Sequence, residues 1–129
     1  VNWTEKLFNN LGKTVILEKE SQIDAVTAIS GSGPAYIFNF AETVIEIGKE
    51  LGLSEQISKK IVLQTIVGAG LLSNNSDKSP SKLRENVTSP NGTTEAALNI
   101  LMDEKNGWHG IIKNAVFAAH KRSKILAKN

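Results

Sequence analysis

The sequence predicts an all-α fold, a helix bundle. Apolar residues recur at three- and four-residue intervals along most of the chain. The blocks so defined are bounded by helix start and stop residues, and a single short stretch has strand character. With 129 residues, residues 1–129 read as one domain, since single domains run to about 100–150 residues.

The first block runs from Trp3 to Leu11 and stops at Gly12, a residue suited to the left-handed position after a helix. Lys13 to Lys19 is the strand-like stretch, and because one strand cannot make a sheet it reads as an extended connector. Ser21 is placed to cap a short helix over Asp24 to Ile29, which runs into Ser30-Gly31-Ser32-Gly33-Pro34. Pro34 fits a first helical position, where its missing N–H costs nothing. The helix it opens carries Ile37, Phe38, Ala41, Val44, Ile45, Gly48 and Leu51 at helical spacing. Phe40 and Ile47 widen that stripe, so burial on more than one side is expected. Gly52 ends this helix and Ser54 caps the next, whose face is Ile57, Ile61, Val62, Thr65, Ile66, Ala69 and Leu72. Gly68 and Gly70 weaken that second long helix, which calls for close packing against a neighbouring helix. Ser73 to Ser81 is polar and reads as a loop. Ser79 and Pro80 then cap and open a short helix through Val87. Ser89-Pro90-Asn91-Gly92 is a tight turn, Thr93 or Thr94 starts a helix through Asp103, and the last helix runs from Trp108 to Ala127.

Composition narrows the function. Hydrophobic residues are 40% and charged residues 22%, an ordinary globular balance. The formal charge is +2, with both signs interspersed, which disfavours nucleic acid as a partner. Cysteine is absent, excluding disulfides, a thiolate nucleophile and cysteine-ligated zinc. No apolar run approaches the ~20 residues that cross a bilayer, and the start lacks signal-peptide order; the expected location is the cytoplasm, with no membrane partner.

Few segments carry chemistry. Gly31-Ser32-Gly33 suggests a dinucleotide fingerprint, but Tyr36 stands where its third glycine belongs. Gly12-Lys13-Thr14 imitates the end of a phosphate loop, with Leu7 in place of the leading glycine. His109 and His120 have no acidic partner at metal-ligand spacing, so no metal site is expected. The turn Ser89-Pro90-Asn91-Gly92-Thr93-Thr94-Glu95 is different. It joins a rigid corner, a glycine and two hydroxyls at a helix start. Free amides of Gly92, Thr93 and Thr94 pointing out of that start make an anion site for a carboxylate or phosphate. The alternative is that Thr93 or Thr94 only caps the helix.

Three segments together resemble the C-terminal domain of pyrroline-5-carboxylate reductase. They are Asp24-Ala25-Val26-Thr27-Ala28-Ile29-Ser30-Gly31-Ser32-Gly33-Pro34-Ala35-Tyr36, Leu83 to Thr94, and Asn114-Ala115-Val116 with Arg122-Ser123. The likeness covers nearly the whole chain in order. It implies an oxidoreductase of the last step of proline biosynthesis, reducing a cyclic imine to proline with NADPH or NADH. The cofactor would be held mainly by an N-terminal Rossmann domain that this sequence does not contain. The chain would then be an interlaced dimerisation domain, forming a homodimer or a higher oligomer and inactive without the cofactor domain. In the family this loop holds the substrate carboxylate and its last threonine bonds the ring nitrogen. Those roles fall on Ser89, Gly92, Thr93 and Thr94, with Thr94 as the catalytic group. The sequence departs at Asn91, where the family pattern has glycine; asparagine tolerates a left-handed backbone best among the other residues. Asp77 stands where relatives carry an acidic residue near substrate, for proton supply or water ordering, or else is a plain loop aspartate. Ser30, Gly31, Ser32 and Gly33 border the nicotinamide pocket or simply shape the helix start. The rival reading is a helical interaction module that binds no metabolite.

Overall fold

A computed structural model describes residues 2–127; Val1, Lys128 and Asn129 lie outside it. It is all-helical, with no strand among the described residues. Helix α1 spans Asn2–Phe8. It ends earlier than the sequence suggests because the Asn9 side-chain oxygen takes the amide and hydroxyl of Thr14 (3.3 and 2.6 Å), an alternative to continuing the helix. Gly12 does not adopt the left-handed conformation expected of it; among the described glycines Gly52 alone has positive φ. Of the expected connector Lys13 to Lys19, residues 13–17 have no regular secondary structure and residues 18–19 bend into the next turn.

A 3-10 turn, Glu20–Gln22, leads into α2 (Ile23–Val26). Ser21 caps nothing. The Gln22 side-chain oxygen instead accepts the amides of Glu18 and Lys19, both at 3.0 Å, and closes that helical start. A π turn over Thr27–Gly31 follows α2 and passes through Ser32 into α3 (Gly33–Glu50).

Helix α3 ends as its sequence dictates. Gly52 sits at φ 92°, its amide bonds Lys49 O at 2.9 Å, and the Leu53 amide reaches Gly48 O at 3.0 Å. This is the paired closure that a left-handed residue permits. Ser54 then caps α4 (Glu55–Asn74) by accepting the Ile57 amide. Helix α4 continues through Ser73, which the sequence assigns to a loop. Ser79 caps α5 (Pro80–Asn86) through the Lys82 amide. Helix α6 is Thr93–Leu101, shorter than expected because the Asp103 carboxylate gathers the amides of Lys105 and Asn106 into a turn. Helix α7 spans Trp108–Leu126.

Two contacts organise these elements. Helices α3 and α4 form a hairpin, and α7 packs against the π turn and α2. The hairpin closes on a glycine: a Cβ at Gly48 would lie 2.6 Å from Ser58 Oγ, so the two backbones approach as closely as they do only because Gly48 has no side chain. Ser58 is fully buried there and its hydroxyl has no partner among the described residues. The second contact is fastened by the Ser123 hydroxyl donating to Asp24 Oδ1 at 2.6 Å, across 99 residues of sequence.

Little else is closed. The buried hydrophobic residues are Ala28, Ala41 and Val62, while Phe38 (66%), Ile100 (75%) and Phe117 (64%) stay exposed. The chain exposes 10851 Å², whereas a compact monomer of its mass exposes roughly 6,700 Å². The packing expected for Gly68 and Gly70 is not supplied by the described residues, none of which lies within 4 Å of a Cβ built at either.

Candidate functional site

The loop between α5 and α6 is built by local chemistry. Pro90 presets its own φ, Asn91 takes the left-handed conformation at φ 58°, and the Gly92 amide bonds Ser89 O at 3.0 Å. Proline second and a positive-φ residue third is the pattern of a type II turn. Asn91 is the one non-glycine residue with positive φ among those described, and it stands where the resemblance leads one to expect glycine. The corner is therefore made without that glycine. Glu95, in the first turn of α6, reaches back to accept the Asn91 amide at 2.7 Å, one residue before the Gly92 cap, and ties the turn to the helix start. Gly92 is the residue preceding the helix, with an extended backbone and no capping side chain. A Cβ there would meet Ser89 O at 3.0 Å and Ser89 Cβ at 3.3 Å, so the turn is fitted around a glycine.

This geometry decides between the two local readings of the threonines. Neither Thr93 nor Thr94 caps α6, because Gly92 occupies the cap position and both threonines lie inside the helix. Of the three amides expected to point outward, the Gly92 N–H is turned inward to Ser89. Those of Thr93 and Thr94 make no hydrogen bond among the described residues, and neither do the hydroxyls of Ser89, Thr93 and Thr94. Ser89 and Thr93 are exposed and Thr94 is half-buried. The result is a cluster of two unspent amides and three hydroxyls at the positive end of a helix dipole, an arrangement suited to a small anion.

The other sequence candidates are not gathered onto this loop. Asp77 lies exposed in the bend between α4 and α5, and no hydrogen bond links it to residues 89–94. Ser30 and Gly31 are exposed and Ser32 and Gly33 half-buried at the junction of the π turn with α3. Ser30 donates its hydroxyl to Val26 O at 3.0 Å within the helix. His109 and His120 both belong to α7, about 16 Å apart along its axis at 1.5 Å per residue, too far to share an ion.

Two apolar recesses flank α7, and the loop lines neither. One, of about 470 Å³, runs between α3 and α7 past Tyr36, Phe40, Ile100, Trp108 and Ile111. Phe40 and Trp108 meet there with ring centres 5.5 Å apart. The other, of about 230 Å³, lies between the π turn and α7, with His120 at its edge beside Ala28, Ile29 and Phe117. Sequence reasoning singled out neither the π turn, nor the Asp24–Ser123 bond, nor the Gly48–Ser58 crossing. A signal for the first is present in the sequence: Pro34 follows Ser30 by four, so the Ser30 carbonyl cannot have its helical donor.

Helices that leave this much apolar surface open, with one donor-rich turn at a helix start, define an association domain: a module completed by other protein surface. The family described as pyrroline-5-carboxylate reductase dimerisation matches residues 20–126, and the chain belongs to it. A pyrroline-5-carboxylate reductase of Pseudomonas aeruginosa is 43% identical over 123 residues, covering 95% of this chain and 44% of that protein. The reductase of Pisum sativum is 40% identical over 126 residues, covering 98% and 45%. Among solved structures, the reductase of Coxiella burnetii superposes with a TM-score of 0.90 at 36% identity, over 97% of this chain and 46% of that one. The Plasmodium falciparum pyrroline carboxylate reductase with NADP bound gives 0.83 at 40% identity, over 96% and 49%. The chain thus spans about half the length of the relatives it matches. No helix among the described residues is long and apolar enough to cross a membrane.

Proposed function

We propose that this chain is the substrate-binding, subunit-joining domain of a reductase that converts 1-pyrroline-5-carboxylate to L-proline with NADPH or NADH. The observation that carries the reading is the Ser89–Thr94 loop. Its unspent amides at Thr93 and Thr94 and its free hydroxyls match a carboxylate held beside a ring nitrogen.

The reaction adds hydride to the imine carbon and a proton to its nitrogen. Ser89 and the amides of Thr93 and Thr94 would grip the carboxylate. Gly92 lets the turn close on Ser89 and so sets these donors side by side; the ring would be held in one orientation, which is catalysis by positioning. The Thr94 hydroxyl would bond the ring nitrogen and stabilise it as it becomes an amine. Asp77 is the weaker part of the proposal, a candidate for proton supply or for ordering water near the substrate. A nicotinamide nucleotide, when bound, supplies the hydride. This chain's residues fit only an edge of such a group: Ser30, Gly31, Ser32 and Gly33 form a small-residue elbow with open space beside Gly33. Its phosphates and ribose would be held by protein outside this chain.

The scaffold reading is a homodimer, with further assembly open to it. The surface excess over a compact monomer is about 4,000 Å², while obligate interfaces bury about 2,000–5,000 Å² over both partners. A second copy, together with the rest of a longer protein, would account for faces such as Gly68, Gly70 and Leu71 on α4. Kinetics of the full-length protein test the chemistry: Thr94→Ala is expected to lower kcat/KM about a hundredfold with dimer mass unchanged. Unchanged turnover would refute the role given to that hydroxyl.

A further inference from the structure

We propose that Tyr36 is a positioning residue: by holding the carbonyl that the π turn strands at Ala28, its phenol fixes the Ser30–Gly33 elbow against which the nicotinamide nucleotide rests. This assignment rests on the reductase reading above and goes beyond it, since it concerns a side chain that touches neither substrate nor anion loop.

The argument begins with which carbonyls have donors. In a regular helix the Ser32 amide would bond Ala28 O. In the π turn it bonds Thr27 O instead, at 2.9 Å. Ala28 O thereby loses its backbone donor. Two residues on, Pro34 has no N–H at all, so the Ser30 carbonyl loses its donor as well. Ala28 is 1% exposed, leaving no ready water to take the vacant place, and a buried carbonyl without a donor is rare in native proteins. The Tyr36 phenol fills it. It reaches eight residues back, across the proline, and donates to Ala28 O at 2.9 Å. With that bond the extra residue of the π turn is retained; without it, a shift toward ordinary α register would restore a donor to Ala28 O and rotate Ser30 to Gly33. π turns recur at functional sites because they re-aim the residues after them.

The opposite side of the turn is pinned separately. Helix α7 packs on it, and the Ser123 hydroxyl bonds Asp24 Oδ1 one turn earlier. Loss of the phenol therefore frees the elbow side alone, while loss of the Ser123 hydroxyl loosens the α7 side. That asymmetry supplies a matched control.

The experiment compares Tyr36→Phe and Ser123→Ala in the full-length protein. Each removes one hydrogen bond and keeps the surrounding apolar contacts. Three quantities are read: hydrogen exchange of the peptide covering residues 27–36, KM for NAD(P)H, and KM for the imino acid. Tyr36→Phe is expected to speed exchange in that peptide and raise KM for the nucleotide, each about tenfold, with KM for the imino acid unchanged. Ser123→Ala is expected to lower the melting temperature comparably and leave KM for the nucleotide where it was. Equal effects of the two variants on that KM, or no effect of either, overturn the assignment. Failure of the wild-type protein to bind NAD(P)H overturns the reductase reading together with this one, whereas binding that Tyr36→Phe does not weaken overturns this one alone.

Discussion

Glycine does opposite things at the two ends of α4. Near its start, Gly48 of α3 lies against Ser58, and a methyl group there would sit 2.6 Å from the serine hydroxyl. Farther along, Gly68 and Gly70 face open space, with nothing within 4 Å of a built Cβ. The first end finds its partner inside the chain; the second finds none among the described residues. The difference separates what this domain folds around by itself from what it keeps for another surface, and the exposed Val67, Leu71 and Leu72 fall on the unfinished side.

Substitution at each end breaks or sharpens that contrast. The largest effect is expected at Gly68. In Gly68→Leu, a bulky side chain enters a face proposed to meet a second copy, and the dimer dissociation constant should rise at least about a hundredfold, near 3 kcal/mol. Sedimentation equilibrium reads it, and an unweakened dimer would place the interface elsewhere. Next comes Gly48→Ala, expected to destabilise the folded chain by about 1–3 kcal/mol through overpacking at the hairpin crossing. Urea unfolding checks this, and an unchanged midpoint would mean the hairpin opens freely. Gly92→Ala presses on Ser89 O and should raise the substrate KM about tenfold by displacing the anion loop, with dimer mass unaltered. The smallest change belongs to Asn91→Gly, which relieves a left-handed asparagine but loosens the unfolded chain. The two terms oppose each other, so stability should move by less than about 1 kcal/mol, as thermal unfolding can show.

Much of the fold was legible because its punctuation is local. Ser54, Ser79 with Pro80, and Gly52 act within one turn of themselves, and the structure uses each as its sequence context suggests. Where boundaries moved, a side chain intervened: Asn9 shortened α1 and Asp103 shortened α6, each by offering backbone groups a partner outside the helix. Ser21 lost its expected role because Gln22 holds the position before α2, its side chain turned back to the amides of Glu18 and Lys19. The π turn could not be read from periodicity, since it depends on Pro34 and on a phenol eight residues away.

The anion loop was legible in composition and only partly in geometry. Its hydroxyls and a helix start at Thr93 or Thr94 follow from the sequence, the structure taking Thr93, and Asn91 takes the left-handed conformation that its residue type allows. The inward turn of the Gly92 amide was not visible, for it arises from the Pro90–Asn91 corner closing on Ser89 O. The partner of Gly68 and Gly70 was beyond reach for a different reason: periodicity shows that a face is apolar, not which chain covers it.

Carboxylate binding here requires that the two amides at the start of α6 be free. Titrating L-proline into the dimeric protein while following backbone amide shifts tests this directly. Saturable shifts largest at Thr93 and Thr94, weakened but not lost in Thr94→Ala, which keeps both amides, are the predicted result. A titration that leaves residues 89–95 unmoved at saturating proline would contradict it.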